Sequence, residues 1–95
     1  PTYIILMKLT DQGIRAVKDA PDRLETAINS LEALGGKING FYATLGEYDY
    51  IACVDALNEA VVMRFLLGLG AAGDVRTTTM KALSKDEFEE IARKL

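Results

Sequence analysis

The first strand signal of the chain is apolar on both of its alternating sides, and this feature constrains the fold more than any other. Residues 3–9 alternate between two sets of side chains, and both sets are apolar apart from Lys8. Alternate residues of a strand point to opposite faces of a sheet, so a strand of this kind is buried on both faces. The chain must therefore build a sheet that is covered on its two sides.

Three further strands and three helices are predicted from the spacing of apolar and turn residues. Residues 10–20 form a polar connection with one short helical turn, and Gly46-Glu47 fits a type II′ turn joining the second and third strands as an antiparallel hairpin. Ser84 and Glu87 form a capping box that begins the last helix. The predicted helices are 21–34, 58–69 and the C-terminal segment, and the remaining strands are 37–45, 48–54 and 75–83.

This order of elements predicts an α+β fold of the ferredoxin-like type. Two β-α-β halves joined by a hairpin give β-α-β-β-α-β, with a four-stranded antiparallel sheet and an additional C-terminal helix. The whole chain, residues 1–95, is expected to form one domain, because its length suffices for one hydrophobic core and not for two.

A homodimer is predicted because one face of this sheet has no helix to cover it. Right-handed crossovers place both connecting helices on the same face. The strands nevertheless carry apolar side chains on both faces, for example Ile4 and Leu6 opposite Ile5 and Met7. A second copy that packs sheet to sheet would cover the open face. The alternative is that the C-terminal helix folds over it.

Composition excludes several classes of function. The chain has no histidine, which removes imidazole-based catalysis and the commonest metal ligand, and we predict neither a metal site nor a cofactor. A net charge of -3 gives no electrostatic basis for binding nucleic acid or an anionic membrane. No apolar run approaches the length of a membrane span. The first residues lack the features of a signal peptide, and a single cysteine suits a reducing compartment, so we expect a cytoplasmic protein.

Several segments resemble the GYD-domain family, and together they cover nearly the whole chain. The main one is Gly46-Glu47-Tyr48-Asp49 between two strand signals, supported by the opening segment 1–13, by Lys18-Asp19-Ala20-Pro21 with Arg23, by Gly35-Gly36-Lys37 and by the segment 73–77. The resemblance implies a dimeric α/β barrel, in which two ferredoxin-like units pair their sheets. Relatives by fold include regulator ligand-binding domains, monooxygenases and isomerases, so the fold alone does not choose a function.

The candidate binding residues lie around the hairpin and on two strands. They are Tyr48, Asp49, Arg76, Tyr42 and Lys8, with Arg15 and Lys18 of the connection as further contacts. Arg76 would anchor a carboxylate, or would pair with Asp49 or with a carboxylate of a partner chain. Each of the others also has a structural interpretation: Asp49 would bond loop N–H groups, the tyrosines would pack across strands, and Lys8 would extend into solvent.

Three hypotheses for function follow. The first is a homodimer, with higher oligomers left open, that binds a small anionic or aromatic molecule as a sensor, carrier or accessory subunit. Its site would be the space between sheet and helices or the cavity between the two paired sheets. The second is a cofactor-free monooxygenase or isomerase, with Asp49 as base, Tyr48 beside it and Arg76 stabilising an oxyanion. The third is a purely structural pairing module. An N-terminal Pro1 acting as a tautomerase base is a remote further alternative.

Overall fold

The apolar segments form one sheet and four helices. A computed structural model describes all residues, 1–95. A short 3-10 helix, Val17–Asp19, follows the first α-helix. The strands are β1 (Thr2–Leu9), β2 (Lys37–Ala43), β3 (Tyr50–Asp55) and β4 (Val75–Ala82), and the helices are α1 (Asp11–Arg15), α2 (Ala20–Ala33), α3 (Glu59–Ala72) and α4 (Lys85–Arg93).

The sheet confirms the predicted ferredoxin-like plan and the α+β class. Its four strands lie in the order β2-β3-β1-β4, and every neighbouring pair is antiparallel. The strand that is apolar on both sides, β1, is therefore central, since it pairs with β3 on one edge and with β4 on the other. Leu6 lies opposite Ile51 and Thr78 in this register.

The hydrophobic core lies between the sheet and the helices α2 and α3. On β1 the inward residues Tyr3, Ile5 and Met7 are all buried. Leu31 of α2 and Phe65 of α3 close over them. Both crossover helices thus pack on one face of the sheet, as right-handed connections require.

The opposite face of the sheet, here named the open face, carries apolar side chains that no helix covers. Register places Ile4 between Cys53 and Met80, and Leu6 beside Ile51, on this face. Met80 is 45% exposed and Tyr42, opposite Ile51 on β2, is 63% exposed. The helix α4 does not cover this face, because it packs extensively against no other element and buries none of its residues.

A β-bulge in β2 corrects the predicted division of that strand between the two faces. Strict alternation predicts Phe41 and Ala43 on one face, and Ile38 and Tyr42 on the other. The pairing with β3 shifts between Ile38 and Gly40, so that Asn39 is the extra residue. As a result Ile38 and Phe41 both pack against the buried core, and Tyr42 lies on the open face.

The predicted type II′ hairpin turn is wrong, although the strands do pair antiparallel. β2 ends at Ala43 and β3 begins at Tyr50, so a longer loop joins them. Gly46 has a φ of 108° within this loop, a conformation that favours glycine.

The ends of the later helices follow sequence signals, with one correction. Asn58 caps α3 by accepting a hydrogen bond from the Val61 N–H, and the predicted capping box of Ser84 and Glu87 is present. The glycines at 68 and 70 were expected to end α3, but both lie inside it. Only Gly73, with a φ of 87°, ends the helix.

Removal of the Tyr3 hydroxyl is expected to leave stability unchanged or to raise it. The hydroxyls of Tyr3 and Thr79 are buried without a hydrogen-bond partner. An unpartnered buried polar group costs roughly 1–3 kcal/mol, so Tyr3→Phe removes a penalty and keeps the packed ring. Urea denaturation at fixed protein concentration measures the effect, with the exposed Tyr42→Phe as control. A loss of more than about 1 kcal/mol in Tyr3→Phe alone would show that this hydroxyl is satisfied in the folded protein.

Candidate functional site

The loop between β2 and β3 is bound to the end of β1 through Asp49. The Asp49 N–H donates to the Met7 carbonyl over 2.8 Å, and the Leu9 N–H donates to Oδ2 of Asp49, also over 2.8 Å. Within the loop, the Thr44 N–H donates to the Asp49 carbonyl, and its hydroxyl donates to the Tyr48 carbonyl over 2.6 Å. The carboxylate of Asp49 therefore has a structural partner, which is the N–H of Leu9 in β1 and not the loop N–H groups that the sequence interpretation expected.

Lys8 and Tyr48 lie beside the hydrogen bonds that join Asp49 to β1. The Lys8 Nζ is 5.2 Å from the centroid of the Tyr48 ring and 3.5 Å from Oε1 of Glu47. The first distance is that of a cation–π contact, and the exposed ion pair adds little to stability. The structure thus brings three of the predicted residues, Lys8, Tyr48 and Asp49, to one end of the open face.

The other predicted residues do not join them. Arg76 lies opposite Lys8 in the β1–β4 register, but its Nη1 donates to the carbonyl oxygens of Gly70 and Val75, each over 3.1 Å. The expected pair between Arg76 and Asp49 is absent. Tyr42 lies on another part of the open face, and Arg15 and Lys18 are exposed on the short helical connection.

A wide concave space lies on the other side of the sheet. A cavity of about 780 Å³ opens between the sheet and the helices α2 and α3. Its floor includes Phe41 and Tyr50, whose ring centroids lie 5.2 Å apart, and its walls include Leu24 of α2 and Leu69 of α3. None of the five principal predicted residues lines it. The sequence hypothesis names the space between sheet and helices as one possible site, but none of the residues that line this cavity was among the predicted ligand contacts.

The charged groups at the mouth of this cavity are partly paired with one another. Nε of Arg23 lies 3.1 Å from Oδ2 of Asp74, and Nη1 of Arg23 donates to the Ala16 carbonyl over 2.9 Å. The Gln12 amide donates to Oδ1 of Asp74 over 3.0 Å. Arg23 therefore connects α2 to Asp74, which directly precedes β4, and to Ala16, which precedes α2 in the chain.

Small side chains on the facing sides of α2 and α3 are a sequence signal for this cavity that the sequence-based predictions did not use. Ala27 and Ser30 of α2, and Gly68 and Ala72 of α3, all line the cavity. The two residues of α3 are four apart and hence share one helix face. The helices touch each other at only a few points, so these small residues leave open space instead of a close helix–helix contact.

The last helix carries a second exposed apolar surface, here named the α4 stripe. It is made of Phe88 and Ile91 on the helix and of Leu95 two residues past its end. Phe88 is 63% exposed and Ile91 is 54% exposed. Around the stripe, Glu89 pairs with Lys85 and Arg93 one turn away in each direction. Such an amphipathic helix normally buries its apolar face against another surface.

Hydrogen bonds lower the pKa of two carboxyl groups. The Asn39 amide and the Thr2 hydroxyl, at 2.6 and 2.8 Å, hold the pKa of the Asp55 carboxyl below its usual value. The backbone N–H and the hydroxyl of Ser84 do the same for the pKa of Glu87. Asp55 is half-buried and Glu87 is exposed, and both serve local structure. The acidic and cysteine side chains form no cluster of three or more suited to a metal ion, and the helices are all too short or too polar to cross a membrane.

Comparison with known proteins places this fold in a family. A family model described as the GYD domain matches residues 3–92. The chain belongs to the GYD-domain family. The resemblance drawn from Gly46-Glu47-Tyr48-Asp49 is thereby confirmed.

One relative of this GYD domain carries a functional name. A protein of Thermus thermophilus, named glutamine synthetase and cystathionine beta-lyase binding protein, is 37% identical over 84 residues. The match covers 87% of this chain and 88% of the relative.

Loss of the Asp49 carboxylate is expected to destabilise the GYD domain. Asp49→Ala leaves the partly buried Leu9 N–H without an acceptor, which costs roughly 1–3 kcal/mol. Asp49→Asn keeps an acceptor oxygen and should cost less. Chemical denaturation measures both variants, with Glu47→Ala as a control in the same loop whose side chain makes only an exposed ion pair. Equal stability of Asp49→Ala and Glu47→Ala would contradict the structural role.

Proposed function

We propose that this GYD domain is a protein-binding module that docks on metabolic enzymes as an accessory subunit. The observation that carries the proposal is the bare α4 stripe, an exposed apolar helix face that one chain does not bury. The printed name of the Thermus thermophilus relative, a binding protein for two enzymes of amino-acid metabolism, supports it. At 37% identity over most of both chains, a related partner is a reasonable expectation.

We further propose that the module works as a homodimer joined through the open face. Ile4, Leu6 and Ile51 form the middle of this face, and Tyr42 and Met80 extend it to both edge strands. Contiguous apolar surface of this kind is unusual on a monomer, and sheet-to-sheet pairing of two copies would remove it from water. The face has no unpaired acidic cluster at its centre that would oppose self-association.

The α4 stripe is then the surface left for the enzyme. An amphipathic helix binds a partner by laying its apolar face into a hydrophobic groove, with anchors at helical spacing. Phe88, Ile91 and Leu95 have the i, i+3, i+7 spacing of such anchors. The partner is therefore expected to offer an apolar groove of about two helical turns, bordered by polar groups that face the charged side chains of α4.

The dimer is tested by the molar mass in solution. Light scattering coupled to size-exclusion chromatography should give about twice the chain mass for the wild-type protein, and Leu6→Lys should shift it to the monomer, because one buried charge per copy is placed in the interface. Phe88→Ser is the matched control, since it removes apolar surface outside the open face. A wild-type monomer at micromolar concentration would contradict the dimer.

Enzyme binding is tested with purified partners. We expect glutamine synthetase or cystathionine β-lyase of the same organism to bind the wild-type chain in calorimetry or interferometry. Phe88→Ser combined with Ile91→Ser should weaken binding at least about tenfold, as expected for the loss of two apolar anchors.

The control for enzyme binding lies on the polar side of the same helix. Glu90→Ser should leave the affinity unchanged, because this residue lies outside the stripe. If neither enzyme binds the wild-type chain, the proposal of enzyme docking fails. If the stripe variants become monomeric instead, the α4 stripe belongs to the dimer interface and not to the enzyme contact.

A second candidate function is binding of a small organic molecule, and the cavity between the helices and the sheet favours it. Its volume of about 780 Å³ lies within the range of roughly 300–1,000 Å³ that is usual for small-molecule sites. The residues predicted to hold the ligand, Tyr48, Asp49 and Arg76, lie elsewhere. A ligand in this cavity would instead contact side chains of α2, α3 and the inner face of the sheet.

A further inference from the structure

We infer that the cavity between α2, α3 and the sheet binds an uncharged aromatic or otherwise apolar small molecule. The inference rests on the second candidate function and names the class of ligand. Of the two ligand classes expected from the sequence, it keeps the aromatic one and departs from an anionic ligand held by Arg76.

The shape of the cavity suits a small molecule. The space of about 780 Å³ is a groove open to solvent, since Ser30, Gly68 and Ala72 at its edge are exposed, and a groove of this size in a chain of 95 residues has a specific cause. The cause is the set of short side chains on the facing sides of the two helices, where Ala27 faces the cavity from α2 and Gly68 from α3. A β-carbon added at Gly68 would meet no heavy atom within 4 Å, so room for a larger side chain exists there and is unused.

The inner surface selects for an apolar ligand. Phe65 of α3 and Leu24 of α2 both line the space, and so does the Phe41–Tyr50 pair. The two rings are tilted by 38°, which offers an incoming ring both a face and an edge to pack against.

The mouth disfavours a negative charge. Five charged side chains stand around it, the two arginines Arg23 and Arg64 and the three aspartates Asp19, Asp22 and Asp74, which leaves a net charge of -1. Arg23 is engaged by Asp74 and by the Ala16 carbonyl, so it is not free to bind a carboxylate. Arg64 is exposed on the surface of α3, so its guanidinium group stays hydrated. A neutral molecule would enter without breaking the ion pair of Arg23.

Two probes of the same aromatic skeleton test the inference. N-phenyl-1-naphthylamine is neutral, and 8-anilino-1-naphthalenesulfonate carries a sulfonate; both gain fluorescence in apolar surroundings. The chain has no tryptophan, so excitation of the probes is undisturbed. We expect the neutral probe to bind at least about tenfold more tightly than the anionic one.

Variants within one helix assign the probe to the cavity. Gly68→Leu fills the space and should weaken binding of the neutral probe at least about tenfold. Gly70→Leu is the matched control, because it makes the same change two residues away at a position that does not line the cavity and is equally free of contacts. Ala27→Leu fills the cavity from the opposite wall and replaces Gly68→Leu if that variant does not fold, with the exposed Ala33→Leu as its control.

The possible outcomes separate the inference from the function on which it rests. If neither probe binds, both the ligand class and small-molecule binding fail. If the anionic probe binds equally well or better and Gly68→Leu still blocks it, the cavity binds ligands but the assigned class is wrong. If the neutral probe binds and Gly68→Leu and Gly70→Leu behave alike, the probe lies on the open face or the α4 stripe, and the cavity is overturned as its site.

Discussion

The central strand β1 carries apolar side chains on both of its faces, and both sets must be buried. The rest of the structure depends on that constraint. Ile5 points toward α2 and α3 and is fully buried, while its neighbour Leu6 points the other way and is not. Right-handed crossovers allow helices on one face only. One chain therefore buries only the inward side chains of its central strand completely and leaves Ile4 and Leu6 partly exposed. This exposure is a direct consequence of the topology and explains why a partner is expected at all.

The end of the same strand also fixes the segment that identifies the family. The Asp49 backbone and carboxylate bond to Met7 and Leu9, which holds the hairpin loop against β1. Gly46 supplies the positive φ that the loop needs. The residues that make the chain recognisable as a GYD domain therefore have a structural explanation in this fold. Recognition of the family from Gly46 and Asp49 carries information about the loop and much less about a ligand.

The sequence was sufficient for the element order, because apolar spacing and caps are local signals. It was insufficient where contacts between residues far apart in the sequence determine the strand register or the conformation of a loop. The bulge at Asn39 moves Ile38 to the other face of the sheet, and the alternation of apolar residues in β2 does not indicate it. The conformation of the hairpin loop depends on hydrogen bonds to β1, which lies more than 30 residues away in the sequence. Gly68 and Gly70 stay helical because tertiary packing of α3 outweighs their poor propensity. The space between sheet and helices could be predicted as a possible site, but its size and its lining residues could not, because periodicity identifies which residues face inward and not how much space they leave.

The three surfaces to which functions are assigned lie on different parts of the fold, and this separation follows from the sheet. The cavity is bounded by the inner face, the proposed dimer contact is the open face, and α4 extends from the end of β4 with little contact to either. Pairing of two copies through the open face would leave both cavities and both α4 stripes uncovered. Each dimer would then present two equivalent helices to an enzyme, and a symmetric oligomeric enzyme could engage both at once, with an affinity above that of either contact alone. A monomer offers no such gain, so the exposed apolar sheet face and the exposed helix stripe favour the same arrangement on independent grounds.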